Sequence, residues 1–172
     1  LVFIILTGLQ PVTLQEKRAL ILGIDKYTPP KGTKIPGTAR SEFRDLDGCV
    51  NDGRAMHSVL LSRFQFPATN MDTAFNQQAG REAILKKIND LLAKTNSGDV
   101  VVLFYAGHGS QVNNSLSRET DKKDESIVPA DTWKPGVADI RDKELTKIYN
   151  AFLDKGANLT VILDCCHSGS LA

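Results

Sequence analysis

His108 stands between two glycines in Tyr105-Ala106-Gly107-His108-Gly109-Ser110, and two adjacent cysteines occur later in Asp164-Cys165-Cys166-His167-Ser168-Gly169-Ser170. An imidazole and a thiol are the partners of nucleophilic acyl transfer. The thiolate attacks a carbonyl, the imidazole carries the proton, and backbone N–H groups beside small residues hold the developing negative charge. At this level of reading Cys165 and Cys166 are both candidates. Other chemistries find no support. Gly107-His108-Gly109 lacks the third glycine of a dinucleotide fingerprint, and there is neither a Gly-x-Ser-x-Gly elbow nor a Walker loop. Cys165, Cys166 and His167 are too close in sequence to wrap one tetrahedral zinc. No organic cofactor is indicated.

These groups are useful only if the chain brings them together, and the pattern of elements says how. Residues 17–24 form a compact apolar run, and residues 99–106, Asp-Val-Val-Val-Leu-Phe-Tyr-Ala, form a β-branched, nearly wholly apolar one. Both read as strands buried on two faces. Residues 159–163 read as a third buried strand and 71–75 as a short weak one. Between them lie helical patterns: residues 50–64 with Val50, Met56, Val59, Leu60 and Phe64 on one face, residues 81–94, and residues 142–155 closed by Gly156. Residues 25–48, rich in Pro and Gly, and residues 107–125, mostly polar, read as long loops. Alternating strands and helices predict an α/β fold with a mainly parallel, doubly wound sheet. In such sheets ligands gather beyond the carboxyl ends of the strands. His108 and the cysteine pair both sit there.

Composition bounds the rest. The 172 residues suit one domain, with 41% apolar and 24% charged residues, and the net charge of +1 gives no global field for nucleic acid or an anionic membrane. Three cysteines, two of them adjacent, make no disulfide framework and favour a reducing compartment, the cytoplasm. No run approaches the about 18 apolar residues of a membrane span. The short run Val2-Phe3-Ile4-Ile5-Leu6 reads as a strand or as the remnant of a signal peptide; the second reading implies a secreted or periplasmic protein.

The three segments Gly48-Cys49-Val50-Asn51-Asp52, Tyr105–Ser110 and Asp164–Ser170, in this order and spacing, resemble those of the metacaspases, the caspase-like cysteine peptidases of bacteria, plants, fungi and protists. The likeness runs from about Lys17 to the end. It implies a three-layer caspase-like fold, with residues 1–16 an extension and 17–172 the large-subunit portion of a catalytic domain. It implies His108 as general base and Cys166, not Cys165, as nucleophile, with an oxyanion hole from the N–H groups of Gly109 and Cys166. It also implies cleavage after Arg or Lys, with Asp52 and Asp164 recognising the basic side chain, as a carboxylate pair in a narrow pocket would. Many metacaspases need Ca²⁺, and by resemblance its ligands include Asp124 and Asp142. Two departures stand out: Ala106 where many members carry Ser, and Lys143 where another acid often occurs.

Residues 159–163, if buried, require a neighbour on each side, yet nine residues remain after Leu163. The resemblance supplies the expectation of a smaller carboxyl-terminal portion, adding two strands and helices and often separated by self-cleavage after Lys or Arg. Two rival functions stay open on the sequence: a non-catalytic caspase-like scaffold, and a Cys-His peptidase of different specificity, such as cleavage after Asp.

Overall fold

The apolar run after Glu16 becomes β1 (Lys17–Gly23), whose residues from Ala19 onward are buried on both faces. In the computed structural model, which describes residues 15–33, 43–114, 116, 120 and 122–166, three more strands join it: β2 (Met71–Phe75), β3 (Val100–Ala106) and β7 (Asn158–Asp164). Their order is β2-β1-β3-β7 and every pairing is parallel. Parallel neighbours need a crossover. Here the connections carry α1 (Cys49–Ser62), α2 (Arg81–Lys94) and α3 (Asp142–Asp154).

Because side chains alternate along a strand, each buried strand feeds two cores. Ala19, Ile21, Val102 and Phe104 point to the side where α1 brings Leu60 and Met56. Leu20, Leu22, Val101, Leu103 and Tyr105 point to the side covered by Ile84 and Ile88 of α2 and by Leu145, Tyr149 and Phe152 of α3. The result is the three-layer arrangement of helices on both faces of a mainly parallel sheet. Among the described residues no helix is long and apolar enough to cross a membrane.

Three expectations need correction. The polar stretch 107–125 is not one long loop: it contains β4 (Gly109–Asn113) and the start of β5 (Lys123–Ile127), an antiparallel pair that the two-residue strand β6 (Ile140–Arg141) extends. β4 reads Gly-Ser-Gln-Val-Asn, so no hydrophobic alternation marks it. The backbone pairing, not side-chain burial, makes it a strand. The helix at 50–64 ends at Ser62, and Phe64 falls beyond it, 57% exposed, ahead of a left-handed turn at Gln65. Finally, β7 is only half-buried: Leu159, Val161, Ile162 and Leu163 all retain solvent contact. Among the described residues it has a single neighbour, β3. Residues 1–14 and 167–172, and with them most of the N-terminal extension and the tail of the cysteine motif, lie outside the described residues.

The start of α1 approaches β1 very closely. A Cβ on Gly23 would lie 2.6 Å from the Cys49 carbonyl oxygen and 3.1 Å from the Val50 Cα, both backbone atoms. Neither can swing aside. Gly23→Ala is expected to lower stability by about 1–3 kcal/mol, the usual cost of overpacking, read as a lower midpoint in urea unfolding with the slope unchanged.

Candidate active site

The carboxyl ends of β1, β3 and β7 form one rim, because Ala106 pairs with both Gly23 and Asp164. The ladder runs one bond further, with the Gly107 N–H donating to the Asp164 carbonyl at 3.2 Å. His108 and Cys166 therefore leave the sheet side by side, on adjacent strands at the same level. The glycines beside His108 have steric reasons. A Cβ on Gly107 would lie 2.5 Å from the Tyr27 hydroxyl and 2.6 Å from that of Tyr105, and one on Gly109 would collide with the Cys166 carbonyl oxygen. The Val128 N–H donates to the His108 carbonyl, which makes Gly109 and Ile127 the wide, non-hydrogen-bonded pair of the β4–β5 ladder. The Gly109 N–H accordingly points away from β5.

His108 is held from several directions. Its backbone N–H donates to the Tyr27 hydroxyl at 2.7 Å. The Tyr27 and Tyr105 hydroxyls are 3.3 Å apart, and that of Tyr105 lies 2.7 Å from the His108 carbonyl and 3.0 Å from the Val128 carbonyl. Burial pushes both phenols upward, well away from ionisation, so they serve as neutral donors and acceptors. The imidazole packs against the Tyr27 ring at 4.6 Å and the Phe43 ring at 5.3 Å between centroids. Its Nε2 lies 2.8 Å from the Arg44 carbonyl oxygen. A carbonyl only accepts, so Nε2 carries a proton, and in the neutral imidazole Nδ1 is then the nitrogen with the lone pair.

Arg44 is positioned by a short segment clamped across the end of β1. Asp45 Oδ1 accepts from the N–H groups of Tyr27 and Thr28 and from the Thr28 hydroxyl, at 2.9–3.0 Å, while Lys26 sits 3.1 Å from Oδ2. Burial would raise the Asp45 pKa, but these donors outweigh it and hold the group at about 2. The Leu46 N–H donates to the Asp25 carbonyl. The Asp25 carboxylate in turn accepts from the N–H groups of Cys49 and Val50, at 2.8 and 3.3 Å, and caps α1 from outside the helix. Asp52, one turn into α1, is thus not the cap; it is exposed.

The cysteines differ sharply. Cys165 packs on the core beside Leu163, and burial, with the adjacent Cys166 and Asp164, pushes its thiol up to about 11. Cys166 is exposed at the rim. Cys49, at the start of α1, is also pushed up to about 11, by burial first, then by the charge and hydrogen bond of Asp25 and the charges of Asp52 and Asp164. Three carboxylates, one just beyond β1, one on α1 and one at the end of β7, therefore all act on one small, half-buried side chain. This is a local negative field at the rim of a chain that is nearly neutral overall. Asp124 and Asp142 are both buried and lie elsewhere, on β5 and at the start of α3; the Lys143 ammonium is 3.7 Å from the first and 2.5 Å from the second. Among the described residues no cluster of three or more His, Cys, Asp or Glu could hold a metal ion.

A parallel sheet between two helical layers, with a histidine and a cysteine at neighbouring strand ends, is the architecture of the caspase-like proteins. The chain belongs to the metacaspase family: the model of the metacaspase, peptidase C14 domain matches residues 17–172. Metacaspase-7 of Arabidopsis thaliana is 33% identical over 162 residues, covering 90% of this chain and 35% of the relative. Metacaspase-1 of Schizosaccharomyces pombe is 34% identical over 131 residues, covering 73% of this chain and 30% of the relative. The chain thus spans about a third of the length of the curated relatives it matches. The crystal structure of protein GSU0716 from Geobacter sulfurreducens superposes with a TM-score of 0.67 at 25% identity, over 90% of this chain and 52% of that one.

Sequence reasoning missed Tyr27, Arg44, Asp45 and Asp25. All lie in a stretch read as a long loop, and the one available signal was Asp25 directly after a buried strand, where a carboxylate has a helix end to meet. Two outcomes follow from the clamp. Tyr27→Phe leaves the part-buried His108 N–H without its acceptor and is expected to cost about 1–3 kcal/mol in chemical unfolding. The Asp45 contribution is present above about pH 4 and is lost as pH falls towards its folded value of about 2. The stability gap between the parent and Asp45→Asn should therefore shrink steadily over that interval in acid titrations of the melting temperature.

Proposed function

We propose that the chain carries the catalytic residues of a cysteine endopeptidase that cleaves peptide bonds after Arg or Lys. The observation that supports this most is the parallel register of β3 with β7, which brings His108 and Cys166 to one rim, while the Arg44 carbonyl takes the Nε2 proton and leaves Nδ1 as the base of the neutral ring. Cys166 gives its thiol proton to Nδ1, and the thiolate attacks the scissile carbonyl carbon. The oxyanion accepts from the N–H groups of Gly109 and Cys166. Collapse of the tetrahedral adduct expels the amine, which takes the proton from His108, and leaves an acyl-enzyme thioester. Water, deprotonated by His108, then releases the carboxylic acid and restores the thiol. Cys165, half-buried and with its thiol pushed up to about 11, is a packing residue behind the nucleophile.

Asp52 and Asp164 receive the cationic side chain. Both are exposed, and both lie close enough to raise the pKa of Cys49, so a guanidinium or ammonium there meets two carboxylates at once. An aspartate side chain would meet the same field with the wrong sign. The half-buried Leu159, Val161, Ile162 and Leu163 on β7 are the edge against which a smaller carboxyl-terminal portion of the same protein adds its strands, a portion separated from this one by self-cleavage after Lys or Arg.

In the complete protein, Cys166→Ala should abolish cleavage by several orders of magnitude, whereas Cys165→Ala retains most of it. Equal loss in both would reject Cys166 as nucleophile. Against peptides ending in Arg, Lys or Asp before the cleaved bond, Asp52→Ala should lower kcat/KM for Arg by about 10- to 100-fold, the worth of one charge-assisted hydrogen bond. A parent enzyme that prefers Asp would refute the assigned specificity, and one inert to every peptide but still bound to protein partners would favour the scaffold.

A further inference from the structure

Asp124 and Asp142, the carboxylates that the family resemblance marks for calcium, are 1% and 3% exposed. Calcium takes about six to eight oxygen ligands and needs their lone pairs turned towards it. Here the lone pairs face N–H groups. The Asn114 side-chain nitrogen donates to both oxygens of Asp124, at 3.0 and 2.9 Å. Its orientation is settled by the Leu116 N–H, which donates to the Asn114 side-chain oxygen at 3.1 Å and so turns the nitrogen towards Asp124. The Arg141 guanidinium lies 3.6 Å from Oδ2 of Asp124, and the Lys143 ammonium 3.7 Å from Oδ1. The same ammonium is 2.5 Å from Oδ2 of Asp142, while Oδ1 of Asp142 accepts the Lys143 backbone N–H at 2.6 Å. All four carboxylate oxygens are thus met by donors of the chain. A calcium ion between them would face two positive charges and an amide N–H₂ group, so these carboxylates as arranged do not fit it.

We infer that Lys143 is a built-in cation that takes the place of a divalent ion between Asp124 and Asp142, so that this junction is held without calcium. Two buried carboxylates are costly unless their charge is met. Arg141 and Lys143 together bring the two positive charges that one Ca²⁺ would bring. Their attachment on either side of Asp142 removes the entropic cost of capturing a free ion. The bridge also joins β5 to the first turn of α3, tying the small antiparallel sheet to the helical layer behind the main sheet. Lys143 is the position at which the sequence departs from the family pattern of a further acid, and the geometry gives that departure a physical role.

The test uses thermal unfolding and calorimetric titration of the full chain, neither of which reads peptidase activity, so its outcome is separate from that of the peptidase proposal. The parent should melt at the same temperature in EDTA and in millimolar calcium chloride, with no saturable heat of calcium binding. Lys143→Met should lower the melting temperature by several degrees, and Lys143→Arg, which keeps the charge, should retain most of it. A saturable calcium-dependent rise in the parent's melting temperature that disappears in Asp142→Asn would overturn the inference. So would a Lys143→Met variant that melts with the parent. Should Lys143→Met fail to fold, the calcium response of the parent and of Lys143→Arg decides the matter.

Discussion

The parallel pairing of β3 with both β1 and β7 is the constraint on which everything at the rim depends. It fixes three carboxyl ends at one level: Gly23 leading to Asp25, Ala106 to His108, and Asp164 to Cys166. A slip of one residue would exchange the side chains that β3 sends to its two cores as well as separating His108 from Cys166, so the register is protected by the whole core. The alignment of the rim is therefore held by Val101, Leu103 and Tyr105 on one side and Val102 and Phe104 on the other.

The same rim concentrates charge that the chain as a whole lacks. A net charge of +1 says nothing of specificity, yet Asp25, Asp52 and Asp164 all act on Cys49. They arrive from the end of β1, the first turns of α1 and the end of β7. Asp25 is committed to the start of α1, where it meets the unpaired N–H groups and the positive end of the helix dipole. The other two carboxylates are left to solvent or to a ligand. The division between one acid spent on the fold and two exposed ones follows from which of them faces the helix end.

The core strands and all three helices were legible because their signal is burial, which writes itself into periodic apolar residues. The motif glycines were legible too, although the reason for Gly107, two tyrosine hydroxyls on top of it, was not. What stayed hidden rests on backbone groups. β4 is a strand by hydrogen bonding with an unpatterned polar sequence, and the Arg44 carbonyl that orients His108 belongs to a peptide unit that any residue would supply. Tyr27 looked like one aromatic residue in a loop, since its partner, the His108 N–H, is far away in sequence. The half-burial of β7 was not legible, because an apolar strand with one neighbour and one with two have the same composition.

The two tyrosine hydroxyls have one more consequence. His108 belongs to no strand or helix, yet its N–H is received by Tyr27 and its carbonyl is met by both the Val128 N–H and the Tyr105 hydroxyl. Its peptide groups are satisfied without water, and the hydroxyls that satisfy them are themselves buried. For this residue to open towards solvent, Tyr27 and Tyr105 must part, which means loosening the sheet beneath. In hydrogen exchange the His108 amide should accordingly behave as part of the sheet's slowest cooperative unit, although it sits beyond the strand ends at the rim of the molecule.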